Sequence, residues 1–285
     1  MSTRMHVPDA VGPPATEEPV SGRRKAGSDV LRWLLDAGWA SVLLGLALWE
    51  LLPRSGILPA EYIPPTSVVI PELISLMGEQ QFWFDVRSTL SGYGAGLGIS
   101  IFTAIPLGLM IGTNPYLFRA TRVIVEFLRP IPSVALIPLA ILVYGITFEM
   151  KVFLVTFATF WPLLIQSIYG VQEVDPVARD TARSFGLTRV AIFFRVAVPS
   201  AAAYIATGLR LASALAIILA ITAELVAGVD GLGKSILLAQ SAGANVKMYA
   251  LIMATGLLSY GLSYSLRRGE RYVLRWHQSH REPIG

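Results

Sequence analysis

The sequence predicts an all-α, polytopic membrane protein with six transmembrane helices. Three observations carry this. Of the 285 residues, 54% are hydrophobic and only 15% charged, where a soluble globular chain carries about 25% charged residues. Mean hydropathy is +0.59. The apolar residues gather into runs near the roughly 20 residues that cross a bilayer as a helix, and Lys and Arg are unevenly shared between alternate connecting segments.

Residues 1–27 hold Pro8, Pro13, Pro14 and Pro19 with little apolar content, and read as a disordered tail. Arg23, Arg24 and Lys25 then precede an apolar run from Val30 to Leu52. That run exceeds the 7–15 residues of a signal-peptide core, so an uncleaved first span is expected at 30–52. Further spans are expected at 87–112, 120–145, 151–171, 201–227 and 247–266, with Glu149 and Lys151 dividing the third from the fourth. The membrane domain covers 28–275, and 276–285 form a second tail.

Six spans place both termini on one side. That side carries seventeen Lys and Arg residues, in the N-terminal region, near the turn between the second and third spans, in segment 172–199 and at the C-terminus. The other side carries five: Arg54, Arg87, Lys151, Lys234 and Lys247. Cationic loops stay in the cytoplasm, so both termini and segment 172–199 are expected there. The net charge of +4 is explained by this asymmetry rather than by a nucleic-acid partner.

Composition restricts the chemistry. There is no cysteine, which excludes a thiolate nucleophile, a disulfide and a Cys-ligated metal. The three histidines, His6, His277 and His280, all lie outside the spans. No nucleophile–base pair stands out, so no catalytic residue and no metal site are expected.

Within the second span Gly92, Gly96, Ser100, Ala104, Gly108 and Gly112 recur every four residues. They form one small-residue ridge on which another helix can approach closely. Packing inside the subunit is the preferred reading, a subunit or gating interface the other. Residues 228–235, GVDGLGKS, satisfy the phosphate-loop pattern G-x-x-x-x-G-K-[ST] letter by letter. That mechanism needs a preceding strand and a following helix whose N–H groups cradle phosphate. Here an apolar helix precedes it, and charge counting puts it outside the cytoplasm. A glycine-rich turn is the expectation.

The most informative segment is Asp175 to Pro199, too charged to enter the membrane. Asp175 followed by Pro176 is a helix start, and Gly186 can close the helix in a left-handed conformation. Ala178, Ala182 and Phe185 share a face by spacing, with Arg179 and Arg183 on an adjacent one. Thr188 can cap a second short helix, which Pro199 is expected to end. The helix could dock a partner, rest on lipid headgroups, or serve as a structural loop. Ionisable residues at membrane depth are candidates for a pathway or gate: Glu126, Arg129, Arg210 and Glu224. Pro130 and Pro132 adjoin Arg129, and with Pro138 they predict a kinked third span.

Asp180-Thr181-Ala182, three residues, Gly186, nine residues and Val196-Ala197-Val198-Pro199 resemble the E-A-A-x-x-x-G-x9-I-x-L-P pattern of bacterial ABC importer membrane subunits. Asp stands for Glu, Thr for the first Ala, and Val for both Ile and Leu. Leu128-Arg129-Pro130-Ile131-Pro132-Ser133 with Ala135-Leu136-Ile137-Pro138-Leu139 resembles the LRPIPxxALIPL stretch of the nitrate/sulfonate/taurine permease group. Ile63–Val68, Gly170-Val171, Thr207-Gly208-Leu209-Arg210 and Gly231-Leu232-Gly233 resemble that group too, so the likeness runs from about residue 40 to 275.

The resemblance implies a type I ABC importer transmembrane fold in a bacterial inner membrane. Pro176, Ala178, Arg179, Asp180, Thr181, Ala182, Arg183, Phe185, Gly186 and Pro199 would form the coupling segment for a cytoplasmic ATPase. It implies two ATPase subunits carrying ATP and Mg, an extracytoplasmic solute-binding protein, and a second copy of the chain as homodimer partner. The solute would be small, an anion such as a sulfonate, taurine or nitrate. The rival readings, a stand-alone secondary transporter and an intramembrane enzyme, lack midplane acidic residues and catalytic pairs respectively.

Overall fold

The computed structural model describes residues 41–59 and 61–273, and every regular element among them is helical. Residues 30–40 of the first expected span lie outside the described residues; residues 41–54 are helical (α1). Helix α2, Thr66–Leu76, begins after Pro65, which has no side chain to cap it. Glu50 of α1 supplies the cap instead, accepting from Thr66 Oγ1 at 2.8 Å and from the Ser67 backbone N–H at 2.9 Å. A carboxylate at a helix N-terminus satisfies orphan donors and complements the dipole. The IPPTSV stretch is therefore a corner pinned from the preceding helix.

Three long helices form the core: α3 (Gln80–Thr113), α6 (Phe148–Gln172) and α9 (Val198–Ala227). At 34 residues, α3 is about 51 Å long. It lies parallel to α6, because its small-residue ridge meets α6 in ascending register. A Cβ on Gly92 would strike the Lys151 side chain at 2.6 Å, one on Gly96 Val155 Cβ at 2.6 Å, and one on Gly108 Ser167 Cβ at 2.6 Å. The ridge is thus a packing surface inside the subunit. Ser100 Oγ closes it by donating to the Thr156 carbonyl at 2.9 Å and lying 2.6 Å from Thr159 Oγ1. Helix α9 runs the opposite way, with Gly208 against Gln166 and the Pro162 carbonyl. Leu97, Ala104, Leu163, Leu164, Ala212 and Ala216 fill the space between the three.

The third expected span, 120–145, is not one helix. Helix α4 (Pro115–Leu128) stops before Pro130, a short 3-10 turn covers Ser133–Leu136, and α5 (Ile137–Tyr144) follows at a 79° bend. Pro130 and Pro132 have no N–H to donate, and their rings clash with the preceding turn. Pro138 falls in the first turn of α5, where a missing N–H costs nothing.

Helix α7 (Pro176–Ser184) and α8 (Arg189–Ile192) lie at one end of the bundle, α10 (Leu232–Ser241) at the other. Helix α11 (Asn245–Val273) returns along the bundle, packing with α2 and α10 through Leu73, Leu232, Ile236 and Leu251. Pro199 does not end a helix as expected. The chain is continuously helical from Arg189 to Ala227, passing through a π-helical turn at Phe193–Ala197, with Pro199 in the first turn of α9. The ring of Pro199 points at the carbonyl four residues earlier, that of Arg195, and the wider π turn lies there to accommodate it.

Among the described residues four helices are long and apolar enough to cross a membrane, and five if the bent pair counts as one span.

Candidate functional site

Helix α7 is built from its caps inward. The Asp175 carboxylate accepts from the Val177 N–H at 2.8 Å, and Pro176 occupies the first turn. Gly186, at φ 74°, closes the other end, donating to the Arg183 carbonyl at 2.8 Å while Leu187 N–H reaches the Ala182 carbonyl at 3.1 Å. Only glycine takes that left-handed turn without steric cost. Thr188 caps α8, accepting from Ala191 N–H at 3.3 Å.

The helix is fixed to the bundle by Arg179, whose Nη2 donates to the Val171 carbonyl at 2.7 Å. Val171 lies in the last turn of α6, where carbonyls lack helical partners and a cation complements the dipole. Ala182 is buried, so it faces the subunit and does not share an outward face with Phe185 as its spacing suggested. The outward surface consists of Val177 at 70% exposure and Phe185 at 79%, with Ala178, Asp180, Thr181 and Arg183 also exposed. Asp180 and Arg183 form an ion pair at 3.0 Å on that surface.

The bend between α4 and α5 creates a second feature. A cavity of about 660 Å³ lies between α4 and α6, bordered by Arg122, Glu126, Arg129, Pro130 and Tyr169. A second, of about 450 Å³, lies between the bend, α6 and α9, bordered by Arg129, Pro132, Ser133, Trp161 and Gln166. Arg129 borders both. Glu126 is tied to Arg122 Nε at 2.7 Å, both exposed. Arg210 lies apart from these cavities and grips Glu270 of α11 with both carboxylate oxygens at 2.7 Å.

Glu224 is placed differently from the other pathway candidates. It is completely buried at the α10 end, 2.9 Å from Lys151 Nζ, which is also completely buried. Lys151, counted from sequence as a loop cation, therefore lies inside the bundle. Its ammonium also donates to the Ser88 carbonyl and the Asp230 carbonyl, each at 3.0 Å. The second Glu224 oxygen accepts from Thr89 Oγ1 at 2.9 Å and from Gly233 N–H at 3.1 Å, while Thr89 Oγ1 accepts from Leu232 N–H at 3.0 Å. The helix N-terminus that imitates a phosphate loop thus already holds an anion, the chain's own carboxylate. Its Lys234 pairs outward with Asp230 at 2.7 Å.

Sequence reasoning passed over Lys151, Thr89, Trp161 and Glu270. One signal for Lys151 was available, since it interrupts an apolar run; in the structure its stem lies against Gly92.

The described residues thus form a multi-pass helical bundle with a capped helix presented at one end and a bent helix pair in place of one span. Residues 104–273 match the family described as binding-protein-dependent transport system inner membrane component, and the chain belongs to that family. It is 29% identical over 251 residues to the taurine transport system permease protein TauC of Escherichia coli (strain K12), covering 85% of this chain and 90% of that one. It is 30% identical over 254 residues to the putative aliphatic sulfonates transport permease protein SsuC of the same organism, covering 88% and 96%. The nitrate import permease protein NrtB of Leptolyngbya laminosa is 27% identical over 223 residues, covering 76% and 79%. A chain of the MetNI methionine ABC transporter, in an inward facing form, superposes with a TM-score of 0.59 at 20% identity, over 68% of this chain and 98% of that one. At that identity the likeness is one of fold. The chain is a permease component of an ABC importer, not a stand-alone secondary transporter.

Proposed function

We propose that this permease pairs with a second copy of itself and with two ATPase subunits, and that an extracytoplasmic binding protein delivers its solute. ATP and Mg belong to the ATPase subunits. The solute is a small anion of the sulfonate, taurine or nitrate class, in line with the names of the relatives. Both termini and α7 face the cytoplasm, as the bias of Lys and Arg requires.

One observation carries the coupling role. Helix α7 is capped at both ends, anchored by Arg179 to α6, and presents Val177 and Phe185 outward with no cover from the described residues. An aromatic anchor on a rigid, short helix suits a groove on a partner. Rigid attachment to α6 would carry motion of the ATPase directly into the α3–α6–α9 core.

The test is a cysteine at Phe185 in the otherwise cysteine-free chain. In the assembled transporter, Phe185→Cys should crosslink to a single cysteine in the ATPase groove, with a yield that changes when ATP is added. Gly186→Pro should leave membrane insertion intact while uptake falls to background. Normal uptake by Gly186→Pro, or no crosslink at any groove position, would refute the docking role.

A further inference from the structure

We propose that the C-terminal end of α11 is a binding site for one anionic phospholipid, with Arg267, Arg268 and Arg271 around its phosphate and Tyr260 and Tyr264 beside its glycerol backbone. The site is separate from the solute, the ATPase and the binding protein.

Helix α11 is the least covered of the four long apolar helices. Only 17% of its most apolar stretch is buried, against 39–44% for the other three. It packs on α2 and α10, outside the α3–α6–α9 core, and runs from the α10 end of the bundle to the α7 end. Tyr260, Tyr264 and the three arginines are all exposed. By helix geometry these five fall within about 100° of one another around the axis. One turn nearer the bilayer centre Leu257 continues the same face, 57% exposed. The face is therefore apolar at depth, aromatic next and cationic at its end, which is the profile of a membrane surface.

A single unpaired surface arginine is ordinary. Here three of them border one recess of about 430 Å³ together with the two tyrosines. Arg267 and Arg268 stand four and three residues before Arg271, spacings at which like charges repel. Among the described residues no carboxylate pairs with any of the three. The one carboxylate within this stretch, Glu270, lies outside the fan on the side of α9, where Arg210 holds both of its oxygens at 2.7 Å. An anion in the recess removes the repulsion, and a phosphate suits the donor forks of arginine.

The arginines also reach the right depth. Arg267 Nε donates back to the Ser263 carbonyl at 3.3 Å, and Arg268 Nη1 donates back to the Tyr264 hydroxyl oxygen at 3.3 Å. Both side chains thus fold one turn toward the apolar part of α11 rather than out into water. Tyr264, accepting from Arg268, keeps its own proton to donate to a phosphate or ester oxygen.

This chemistry selects among occupants. A phosphatidylglycerol headgroup brings a phosphate and no cation. A phosphatidylcholine headgroup brings a quaternary ammonium that the arginines repel. A second copy of the chain meeting this face across a two-fold axis would set arginine against arginine.

The experiment uses the delipidated full chain in a non-ionic detergent. Native mass spectrometry gives the dissociation constant of the first bound dioleoylphosphatidylglycerol and, separately, of dioleoylphosphatidylcholine. The wild-type chain should prefer phosphatidylglycerol at least about ten-fold, since each basic residue at an anionic surface is worth about five-fold. Replacing all three, as Arg267→Gln/Arg268→Gln/Arg271→Gln, should bring the preference within about two-fold, and the corresponding triple Lys variant should keep most of it. If the triple Gln variant does not fold, Arg268→Gln alone should lower the preference about five-fold. Arg119→Gln/Arg122→Gln/Arg189→Gln, which removes equal charge elsewhere at the same end, should leave it unchanged. Equal affinity of the wild-type chain for the two lipids overturns the proposal, whatever the variants do. So does an equal loss in the distant triple variant, which would make the attraction one of overall charge. Displacement of phosphatidylglycerol by soluble glycerol phosphate at equal concentration would also overturn it, because the site would then read a free phosphate ester and not a lipid.

Discussion

Lys151 and Glu224 meet 2.9 Å apart in the fully buried interior, joining α6 to α9. Neither charge is left with a single partner. The ammonium reaches two backbone carbonyls and Ser88 Oγ besides the carboxylate, and the carboxylate reaches Thr89 and the Gly233 N–H. Five separate pieces of chain, from α3, α6, α9, the following turn and α10, converge on the two groups. Desolvating a pair of charges is expensive unless the remaining donors and acceptors are also satisfied, and here they are. The network fixes the α10 end of the bundle as one unit.

Removing one partner leaves the other buried and uncompensated. Lys151→Met and Glu224→Met should each destabilise the permease by about 3–5 kcal/mol. The double variant should be less destabilised than the sum of the singles, because it leaves no orphan charge. Thermal unfolding in detergent of the four proteins checks this as a cycle. Additive losses would show that the charges do not depend on each other.

Gly231 supplies a second prediction at the same place. Its φ is 148°, and a Cβ would meet the Glu224 carboxylate. Gly228 has φ 72° but open space around it. Gly228→Asn should therefore cost about 1 kcal/mol or less, the ordinary penalty for a left-handed turn. Gly231→Ala should cost considerably more and reduce the amount of folded permease recovered from membranes. Equal recovery of the two variants would contradict the close approach of the turn to Glu224.

The glycines of α3 inside and outside the ridge make a sharper comparison. Gly96 lies against α6, where a Cβ would sit 2.6 Å from Val155, whereas Gly94 and Gly98 meet nothing within 4 Å. Gly96→Ala should destabilise by about 1–3 kcal/mol through overpacking. Gly94→Ala should be neutral, or stabilising by up to about 1 kcal/mol from helix propensity. Denaturant or thermal midpoints of the purified variants decide it.

Much of this was legible in the sequence, for reasons that differ from residue to residue. The i, i+4 ridge of α3 reads directly because helix geometry alone puts those residues on one face. The caps Asp175, Gly186 and Thr188 read directly because capping is local chemistry. The bend at Arg129 was readable only as a kink: three prolines announce a break, but its 79° depends on what α4 and α5 pack against. The role of Glu224 was not readable at all. Its partners Lys151, Thr89 and Gly233 come from segments far apart in the chain, and only the packing of α3, α6 and α10 brings them together. Ala182 escaped for the same reason. Its spacing matches Ala178, yet which of the two faces inward is decided by where Arg179 fastens the helix.

That fastening yields the last prediction. Arg179 does not belong to the outward surface of α7; its guanidinium is tied to the last turn of α6 at the Val171 carbonyl. Asp180 and Arg183 pair in the open at 3.0 Å, where an ion pair contributes about 0–1 kcal/mol. If α7 transmits motion as a rigid lever, its root should matter more to coupling than its exposed ion pair. Arg179→Met preserves the bulk of the side chain and all of the outward surface, and removes only the bond to α6. The assembled transporter carrying it should still bind its ATPase and hydrolyse ATP, while solute uptake per ATP falls several-fold. Arg183→Met, which breaks only the exposed pair, should leave that ratio within about two-fold of wild type, consistent with the small energy of such pairs. Uptake and phosphate release measured together in proteoliposomes give the ratio directly. If Arg179→Met keeps the wild-type ratio, α7 moves with the bundle through Ala182 and the flanking turns alone.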